Sequence, residues 1–295
     1  MSASTPSPGE PWTILRLLDW TTRFFESKGI DTARLDAELL LAHALGCRRI
    51  DLYARYDEVP DGQPLDQFRE MVRQRARRVP AKYLTGETEF RSLALAVEPS
   101  VIIPRPETEF LVEQALERVP VEEEEQVLAD LGTGSGAIAI ALAVERPQAR
   151  VVATDASAEA LAVARANAER HEVAEQIAFR QGCWFEALEA GRAFDAIVSN
   201  PPYVATADLD AAMPEVRHHE PRAALDGGPD GRDALRELVA EAPAWLKPGG
   251  WLIVEVGAGQ AQAVADLARE TGAYAVIDVA PDFAGIDRVV AMQKS

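Results

Sequence analysis

The 295-residue chain has few of the residues that build disulfide-bonded or metal-bound proteins. It contains two cysteines, Cys47 and Cys183, which lie far apart, and only four histidines. Domains held together by disulfides need several cysteines, and a zinc site needs cysteine and histidine ligands at close spacing. We therefore expect reduced thiols, no disulfide framework and no metal site.

Long apolar runs and basic patches are also missing. No stretch approaches the roughly 18 to 20 uncharged apolar residues of a membrane-spanning helix, and the first ten residues lack the features of a secretion signal. A formal charge of −18 would repel a phosphate backbone, and no stripe of arginine, lysine and aromatic residues offsets it. We expect a cytoplasmic monomer without a membrane or nucleic-acid partner. The acidity is consistent with solubility or with steering of a basic partner.

Apolar residues recur at three-to-four spacing through the first 80 residues, which is the period of amphipathic helices. We predict one helix after Trp12, a second that Asp31 caps and Gly46 ends, and a third that stops before Pro80. Residues 1–90 are therefore predicted to form a small helical domain.

A short β-hairpin is predicted at residues 91–106, as a linker between two domains. Apolar and small side chains alternate over residues 93–97, as in a half-buried strand, and residues 101–103 fit a returning strand. Pro106 then stands at the start of a helical pattern. The acidic run at residues 122–125 predicts a solvated loop.

Beyond residue 107 the period changes. From residue 127 short apolar strands alternate with helices, which predicts an α/β domain whose parallel sheet carries helices on both faces. Residues 275–277 and 289–291 predict a terminal antiparallel pair. We assign residues 107–295 to this domain.

The first strand of this domain runs into the loop Asp130-Leu131-Gly132-Thr133-Gly134-Ser135-Gly136. Ligands of an open parallel sheet bind at the carboxyl ends of its strands, and glycines let the backbone approach them closely. The next strand ends in Asp155, whose carboxylate can accept hydrogen bonds from both hydroxyls of a ribose. The loop and Asp155 therefore predict a site for a nucleoside-type cofactor.

The glycines alone also satisfy the fingerprint of dinucleotide-binding proteins. Two features favour S-adenosylmethionine instead. Asp130 stands two residues before the first glycine, like the acidic start of the first methyltransferase motif, and the strand at residues 196–198 ends in a second motif for which dehydrogenases have no use.

That second motif is Ser199-Asn200-Pro201-Pro202-Tyr203, at the same edge of the predicted sheet as the glycine loop. The side-chain oxygen of Asn200 and the carbonyl of Pro201 can accept both hydrogens of an NH₂ group and turn its lone pair toward a methyl donor. Prolines suit this task because they lock φ and remove competing N–H donors. Tyr203 would stack on a planar amide or base.

An amide nitrogen is a poor nucleophile because its lone pair is delocalised, so catalysis here is mainly positioning. No strong base is required, because the methylated nitrogen becomes acidic and loses its proton afterwards. We predict Asn200, Pro201 and Tyr203 as catalytic residues. The same three residues and Pro202 are predicted to bind substrate, and Asn200 also borders the cofactor.

The chain resembles the release factor glutamine methyltransferases, a family of protein-(glutamine-N5) methyltransferases, over nearly its whole length. The resemblance is carried by these segments: Tyr83-Leu84-Thr85-Gly86 with Glu89-Phe90, Ile103-Pro104-Arg105-Pro106-Glu107-Thr108-Glu109, residues 130–136, residues 194–203, His219-Glu220-Pro221 with Ala224-Leu225, Gly227-Gly228, Asp230-Gly231, and Glu255-Val256-Gly257 with Gln260.

This resemblance implies a helical N-terminal domain that helps to dock a release factor, and a seven-stranded, Rossmann-like methyltransferase domain. It also implies methyl transfer to the glutamine of a Gly-Gly-Gln loop, with the glycine loop, Asp155 and Trp184 around the cofactor. The family often has an acidic residue just before the tryptophan, where this chain has Cys183. An acidic contact to the adenine is therefore in doubt.

Other functions fit parts of the pattern. A related enzyme that methylates a glutamine of a large-subunit ribosomal protein looks alike around Asn200, but departs after Pro104-Arg105. A DNA adenine methyltransferase uses a similar loop, yet needs a basic surface and a target-recognition region, and neither is evident. A non-catalytic binding module has no reason to keep Asn200 and Tyr203. A dinucleotide oxidoreductase would need a catalytic pair such as Tyr-x-x-x-Lys, which does not follow the sheet.

Overall fold

The chain forms two units in a computed structural model that describes residues 11–119, 126–282 and 284–295. The first unit comprises the described residues up to Gly86 together with Pro214–His219. The second comprises the described residues of Glu87–Met213 and Glu220–Ser295. The short segment at 214–219 thus belongs with the N-terminal helices, although both of its neighbours in the chain belong to the second unit.

The described helices are α1 (Ile14–Ser27), α2 (Ala33–Leu45), α3 (Arg49–Ala54), α4 (Gly62–Ala76), α5 (Ala81–Thr85), α6 (Pro106–Arg118), α7 (Ala137–Glu145), α8 (Ala158–Arg170), α9 (Pro214–His219), α10 (Asp233–Trp245) and α11 (Ala261–Thr271). The strands are β1 (Glu87–Phe90), β2 (Leu93–Ala96), β3 (Val127–Leu131), β4 (Arg150–Asp155), β5 (Ile177–Gln181), β6 (Phe194–Ser199), β7 (Leu246–Glu255), β8 (Tyr274–Pro281) and β9 (Asp287–Lys294).

The helical unit packs α1 to α5 around its own apolar core, in which Ile14, Leu18, Phe25 and Leu40 are fully buried. Its periodic apolar positions meet in this core, as the sequence predicted.

A buried ion network crosses this unit. The Arg75 guanidinium donates to Asp36 on α2 at 2.7 Å and to Glu215 on α9 at 2.9 Å, and the side chains of Arg75 and Glu215 are 5% and 10% exposed. Arg78 donates a further hydrogen bond to Glu215 at 2.9 Å. Because removing one partner of a buried ion pair leaves an uncompensated charge, these contacts hold α9 in the helical unit.

The second unit is built on a seven-stranded sheet with the order β5-β4-β3-β6-β7-β9-β8. Strands β3 to β7 are parallel, and β9 runs antiparallel to both β7 and β8. From β3 the chain winds first toward β5 and then returns to β6 on the other side. The carboxyl ends of β3, β4 and β6 therefore surround the point where the winding order reverses, which is where such sheets bind ligands.

Helices cover both faces of this sheet. One apolar cluster packs α6, α7 and α8 against it, and a second packs α10 and α11 against the opposite face. The predicted α/β class, the seven strands and the terminal antiparallel pair are confirmed.

The predicted hairpin was wrong in its pairing. Strand β2 pairs with β1 and not with residues 101–103, which form no strand. The two-residue turn at Arg91 and Ser92 has φ of 47° and 62°. Positive φ at both positions is the geometry of tight hairpin turns, but these usually carry Asn or Gly, so the residue types gave no signal.

Two further predictions concern the N-cap of α2 and the acidic run at residues 122–125. Helix α2 begins at Ala33, so Thr32 and not Asp31 stands at its N-cap, and the Thr32 hydroxyl donates to Asp36 at 2.8 Å. The acidic run at residues 122–125 lies outside the described residues. Within the part of the chain that the structure describes, no helix has the length and apolar character needed to cross a membrane.

Candidate active site

The glycine loop connects β3 to α7 and is held by backbone hydrogen bonds. The amides of Gly132 and Thr133 both donate to the carbonyl of Thr154 at the end of β4, at 2.9 and 2.8 Å. Gly136 has φ of 85° and a Cβ there would lie 2.9 Å from Ile140 Cδ1, so only glycine fits where the loop enters the helix. The backbone of this loop therefore lies close against the carboxyl end of β4.

Asp130 lies behind this loop, fully buried. Its Oδ2 accepts hydrogen bonds from the Thr133 hydroxyl at 2.6 Å and the Ala139 amide at 3.0 Å. Burial raises the pKa of Asp130 to about 7. Its Oδ1 has no hydrogen-bond partner among the described residues. Asp130 therefore braces the glycine loop and the start of α7 from behind.

Asp155 ends β4 and fastens the loop from the other side. Its Oδ2 accepts from the Gly134 amide and its Oδ1 from the Ser157 amide, both at 2.9 Å. Because each carboxylate oxygen can accept a second hydrogen bond, Asp155 retains capacity for two donors on a ligand.

Next to the loop and Asp155 lies a cavity of about 330 Å³. Trp184 stands in its wall with φ of 43°, and a Cβ on Gly132 would lie only 3.2 Å from the indole ring. The cavity lining comprises Ser100, Val101, Ile102, Gly132, Gly134, Asp155, Ala156, Ser157, Ala160, Gly182, Cys183, Trp184, Asn200, Pro202, Pro221, Ala223 and Ala224.

These features fit S-adenosylmethionine. The glycine cradle and the Asp155 acceptors match a ligand that carries a nucleoside, and the cavity beside them has room for it. Cys183 also lines the cavity, but partial desolvation and the nearby carboxylates, chiefly Glu237, raise the pKa of its thiol. The position just before Trp184 therefore carries a neutral thiol and supplies no acidic contact to a ligand.

The second motif follows β6 directly, and β6 pairs with β3. Asn200 lines the cavity, and its Nδ2 donates to the Thr108 hydroxyl at 2.9 Å. Within the described part of the chain, neither Asn200 Oδ1 nor the carbonyl oxygen of Pro201 accepts a hydrogen bond from another group. Both oxygens are thus free to accept, and Asn200, which carries the first of them, lines the cavity.

Tyr203 is turned toward the sheet. Its hydroxyl donates to Glu255 at 3.1 Å, and its carbonyl accepts from Gln260 Nε2 at 2.9 Å. Burial, and then the charge of Glu255, raise the pKa of the Tyr203 phenol, so it stays protonated. Burial also raises the pKa of Glu255 to about 7.

Backbone contacts support the same loop from residues 225–231. The Val204 amide donates to the Leu225 carbonyl at 3.0 Å, and the Gly227 amide donates to the Val204 carbonyl at 2.8 Å. A Cβ at Gly227 would lie 2.7 Å from the Pro202 carbonyl oxygen. Gly227 is one of the residues that carry the family resemblance, which implied no role for it. This close approach explains why a glycine is needed there.

The structure brings together six of the predicted residues around the cavity: Gly132, Gly134, Asp155, Trp184, Asn200 and Pro202. The others are not part of its lining. Thr133 and Ser135 are buried residues of the loop itself, Gly136 is the N-cap of α7, and Pro201 is buried. Pro201 and Tyr203 belong to the same loop as Asn200 and Pro202 by their position in the chain.

Sequence reasoning assigned no role to three side chains that the structure places at the site. Thr108 and Glu255 contact Asn200 and Tyr203, although the sequence offered them only as part of the family resemblance. Asn167, which is fully buried, bonds the backbone of Ala96 in both directions and donates to the Ser135 carbonyl at 2.9 Å. Its only sequence signal was a polar residue on the buried face of α8.

Comparison with known proteins identifies related sequences over nearly the whole chain. Residues 16–86 match the family described as "PrmC N-terminal domain", and residues 106–229 match "Methyltransferase small domain". A release factor glutamine methyltransferase from Geobacter sulfurreducens is 48% identical over 281 residues, covering 95% of this chain and 96% of the relative. Another from Rhodopirellula baltica is 42% identical, covering 97% of each chain.

A solved structure shows the same fold. The crystal structure of a methyltransferase from Pyrococcus furiosus superimposes with a TM-score of 0.52, covering 70% of this chain and 90% of that one. The sequence identity is 18%. This likeness concerns the fold alone.

Proposed function

The chain belongs to the release factor glutamine methyltransferase family, and we propose that its substrate is the glutamine of the Gly-Gly-Gln motif in a peptide chain release factor. The methyl group of S-adenosylmethionine is transferred to the side-chain amide nitrogen of that glutamine. The enzyme is thus a protein-glutamine N-methyltransferase that acts in translation termination.

One observation carries the proposal: two neighbouring acceptors in the loop after β6 are used by no other group of the described chain, and Asn200, which carries the first, lines the cavity. Asn200 Oδ1 and the Pro201 carbonyl oxygen lie on consecutive residues. In the same loop, Asn200 Nδ2, the Tyr203 hydroxyl and the Tyr203 carbonyl are already hydrogen-bonded to other parts of the chain. A primary amide has two N–H donors, so both can be held at once while the nitrogen lone pair turns toward the cavity. Such positioning can lower a barrier by roughly 7–11 kcal/mol when the geometry is well held.

The residues around the cavity would hold the cofactor. Asp155 would accept hydrogen bonds from its ribose, the glycine loop would lie against it, and Trp184 would pack on it. When bound, S-adenosylmethionine supplies an electrophilic methyl group. The nitrogen that gains the methyl group releases its proton to solvent, so Asn200 and Pro201 need only orient it.

The remaining parts of the chain fit the same function. We infer that the helical domain, predicted as residues 1–90, docks the body of the release factor, and that residues 91–106 link it to the catalytic domain at 107–295. We further infer a cytoplasmic monomer with no direct nucleic-acid or membrane partner. Sedimentation of the protein alone and with a release factor would test the monomeric state and the binding of the release factor.

The decisive experiment is mass spectrometry of a recombinant release factor after incubation with the protein and S-adenosylmethionine. We expect one added methyl group on the glutamine of the Gly-Gly-Gln peptide. The product should be absent with Asn200→Ala, and also with a release factor whose glutamine is replaced by glutamate. A large-subunit ribosomal protein in a parallel reaction tests the alternative substrate. Methylation of that protein, with an unmodified release factor, would reject our assignment.

A further inference from the structure

Thr108 occupies the first turn of α6 and is 4% exposed. Its Oγ1 accepts a hydrogen bond from Asn200 Nδ2 at 2.9 Å and donates one to Glu255 Oε2 at 2.8 Å. A hydroxyl carries one proton, so the proton given to Glu255 leaves only lone pairs facing Asn200. The Thr108 hydroxyl is therefore a directional link between a carboxyl group and the catalytic-loop amide.

This direction determines which atom Asn200 presents to the substrate. With Nδ2 bound to Thr108, the Oδ1 atom points away from it and is available as an acceptor. The reversed amide would place its oxygen against the lone pairs of Thr108 and its NH₂ against the NH₂ of a substrate. Both contacts would be repulsive.

Glu255 holds the loop at a second point. Its Oε1 accepts from the Tyr203 hydroxyl at 3.1 Å, so one side chain fixes both Asn200, through Thr108, and Tyr203. Glu255 is the last residue of β7 and is 1% exposed, and its neighbour Val254 pairs with Ser199 just before Asn200. Thr108 and Glu255 are both almost fully buried, so water does not compete for the hydrogen bond between them.

We propose that Thr108 and Glu255 are positioning residues that fix the Asn200 side-chain oxygen as the acceptor for the substrate amide. This rests on the proposed function. Both Glu255 oxygens are occupied by protein hydroxyls, so Glu255 acts through Asn200 and Tyr203 and does not touch the substrate.

The first test compares Thr108→Val, which keeps the shape but removes the hydroxyl, with Thr108→Ser, which retains it. We expect Thr108→Val to lower kcat about 10- to 100-fold, with little change in the Kd for S-adenosylmethionine, because misplacement of about 1 Å has costs of that order. Thr108→Ser should recover most of the activity. Thr271→Val is the control, because it deletes a hydroxyl that, like that of Thr108, both donates and accepts, here to the Ala268 carbonyl and from the Ala273 amide, far along the chain from the loop.

A double-mutant cycle separates positioning from general destabilisation. If Thr108 acts through Asn200, then Thr108→Val should cause no further loss of kcat in an Asn200→Ala background. Independent, multiplicative losses would overturn the proposal, as would full kcat in Thr108→Val. Glu255→Gln provides a second variant if Thr108→Val does not fold, and it should likewise lower kcat at unchanged cofactor affinity.

A measurement without turnover distinguishes failure of this inference from failure of the proposed function. The side-chain NH₂ signals of Asn200 can be assigned by NMR from their loss in Asn200→Ala. We expect slow exchange of one of these protons with water in the wild type and in Thr108→Ser, and faster exchange in Thr108→Val. Equal exchange in all three proteins would overturn the positioning role, whatever the substrate is.

Discussion

The two loops that face the cavity are held in different ways. The glycine loop is fixed largely by backbone groups and by Asp155 on the neighbouring strand, within about one βαβ unit of the chain. The loop at residues 200–203 is fixed by side chains from distant parts of the chain, namely Thr108, Glu255 and Gln260. The first arrangement depends on its glycines and on the side chains of Asp130, Asp155 and Asn167, whereas the second depends on remote side chains that reach Asn200 and Tyr203.

The largest effect is expected from Asn200→Asp, which changes the loop that we propose to hold the substrate. The introduced carboxylate cannot donate to Thr108 and would compete with Glu255 for the same proton. We expect transfer to fall at least about 100-fold, equivalent to about 2.7 kcal/mol. Binding of the positively charged cofactor should not weaken. Steady-state kinetics and calorimetry would measure the two quantities.

Gln262→Glu supplies the control for that variant. It adds the same charge on the exposed face of α11 and should leave kcat unchanged. If Asn200→Asp retained wild-type kcat, an uncharged Asn200 would not be needed for transfer.

The glycine loop should be most sensitive where backbone geometry leaves no room. A Cβ at Gly136 would lie 2.9 Å from Ile140 and 3.1 Å from Ala164, whereas one at Gly134 has nothing within 4 Å. Both glycines have positive φ, so both alanine variants carry that strain. We expect Gly136→Ala to lower the free energy of unfolding by about 2 kcal/mol more than Gly134→Ala. Urea denaturation of both variants would show this; equal losses would mean that the helix relaxes around the methyl group.

Asp155→Asn should affect the cofactor side alone. The two Asp155 oxygens accept from the Gly134 and Ser157 amides, and an asparagine would turn an NH₂ group toward one of these donors. We expect the Kd for S-adenosylmethionine to rise about tenfold, equivalent to about 1.4 kcal/mol. Transfer at saturating cofactor should stay close to wild type. Asp266→Asn, on the exposed side of α11, makes the same chemical change away from the site. A large loss of kcat at saturation would show that the two loops are not separable.

The smallest effect concerns pH. The folded protein raises the pKa of Glu255 to about 7, above its ordinary value near 4.5, so ionisation opposes folding. The stability associated with the neutral form is fully present below pH 4.5 and is lost as the pH rises toward 7. Glu255→Gln stays neutral and lacks this loss.

Chemical denaturation at several pH values would measure the difference. Between about pH 6.5 and about pH 7.5, the wild type should lose less than about 1 kcal/mol of stability relative to Glu255→Gln. Asp130, whose pKa is also raised to about 7, is present in both proteins and cancels in the comparison. Parallel stability curves would show that Glu255 stays charged at neutral pH.

The contrast between the two loops also explains which features of the molecule could be predicted from its sequence. The strands, the helices of the catalytic unit and the glycine loop have local signals: hydrophobic period, contiguous glycines and an acid at the end of the next strand. The Thr108–Glu255 link has none, because its members lie far apart in the chain and meet only through the sheet. The hairpin turn at Arg91-Ser92 lacked the usual residue types. The assignment of α9 to the helical unit depends on ion pairs with residues more than a hundred positions away.

The placement of α9 has a consequence for how such proteins can be inherited and recombined. The helical unit is not a contiguous piece of the gene, because Pro214–His219 is encoded inside the catalytic unit. An exchange of the first 86 codons between two relatives would separate Arg75 from the Glu215 with which it evolved. We expect Arg75 and Glu215 to change together among relatives, and hybrid proteins to be stable only when the six codons of α9 come from the same parent as the N-terminal helices.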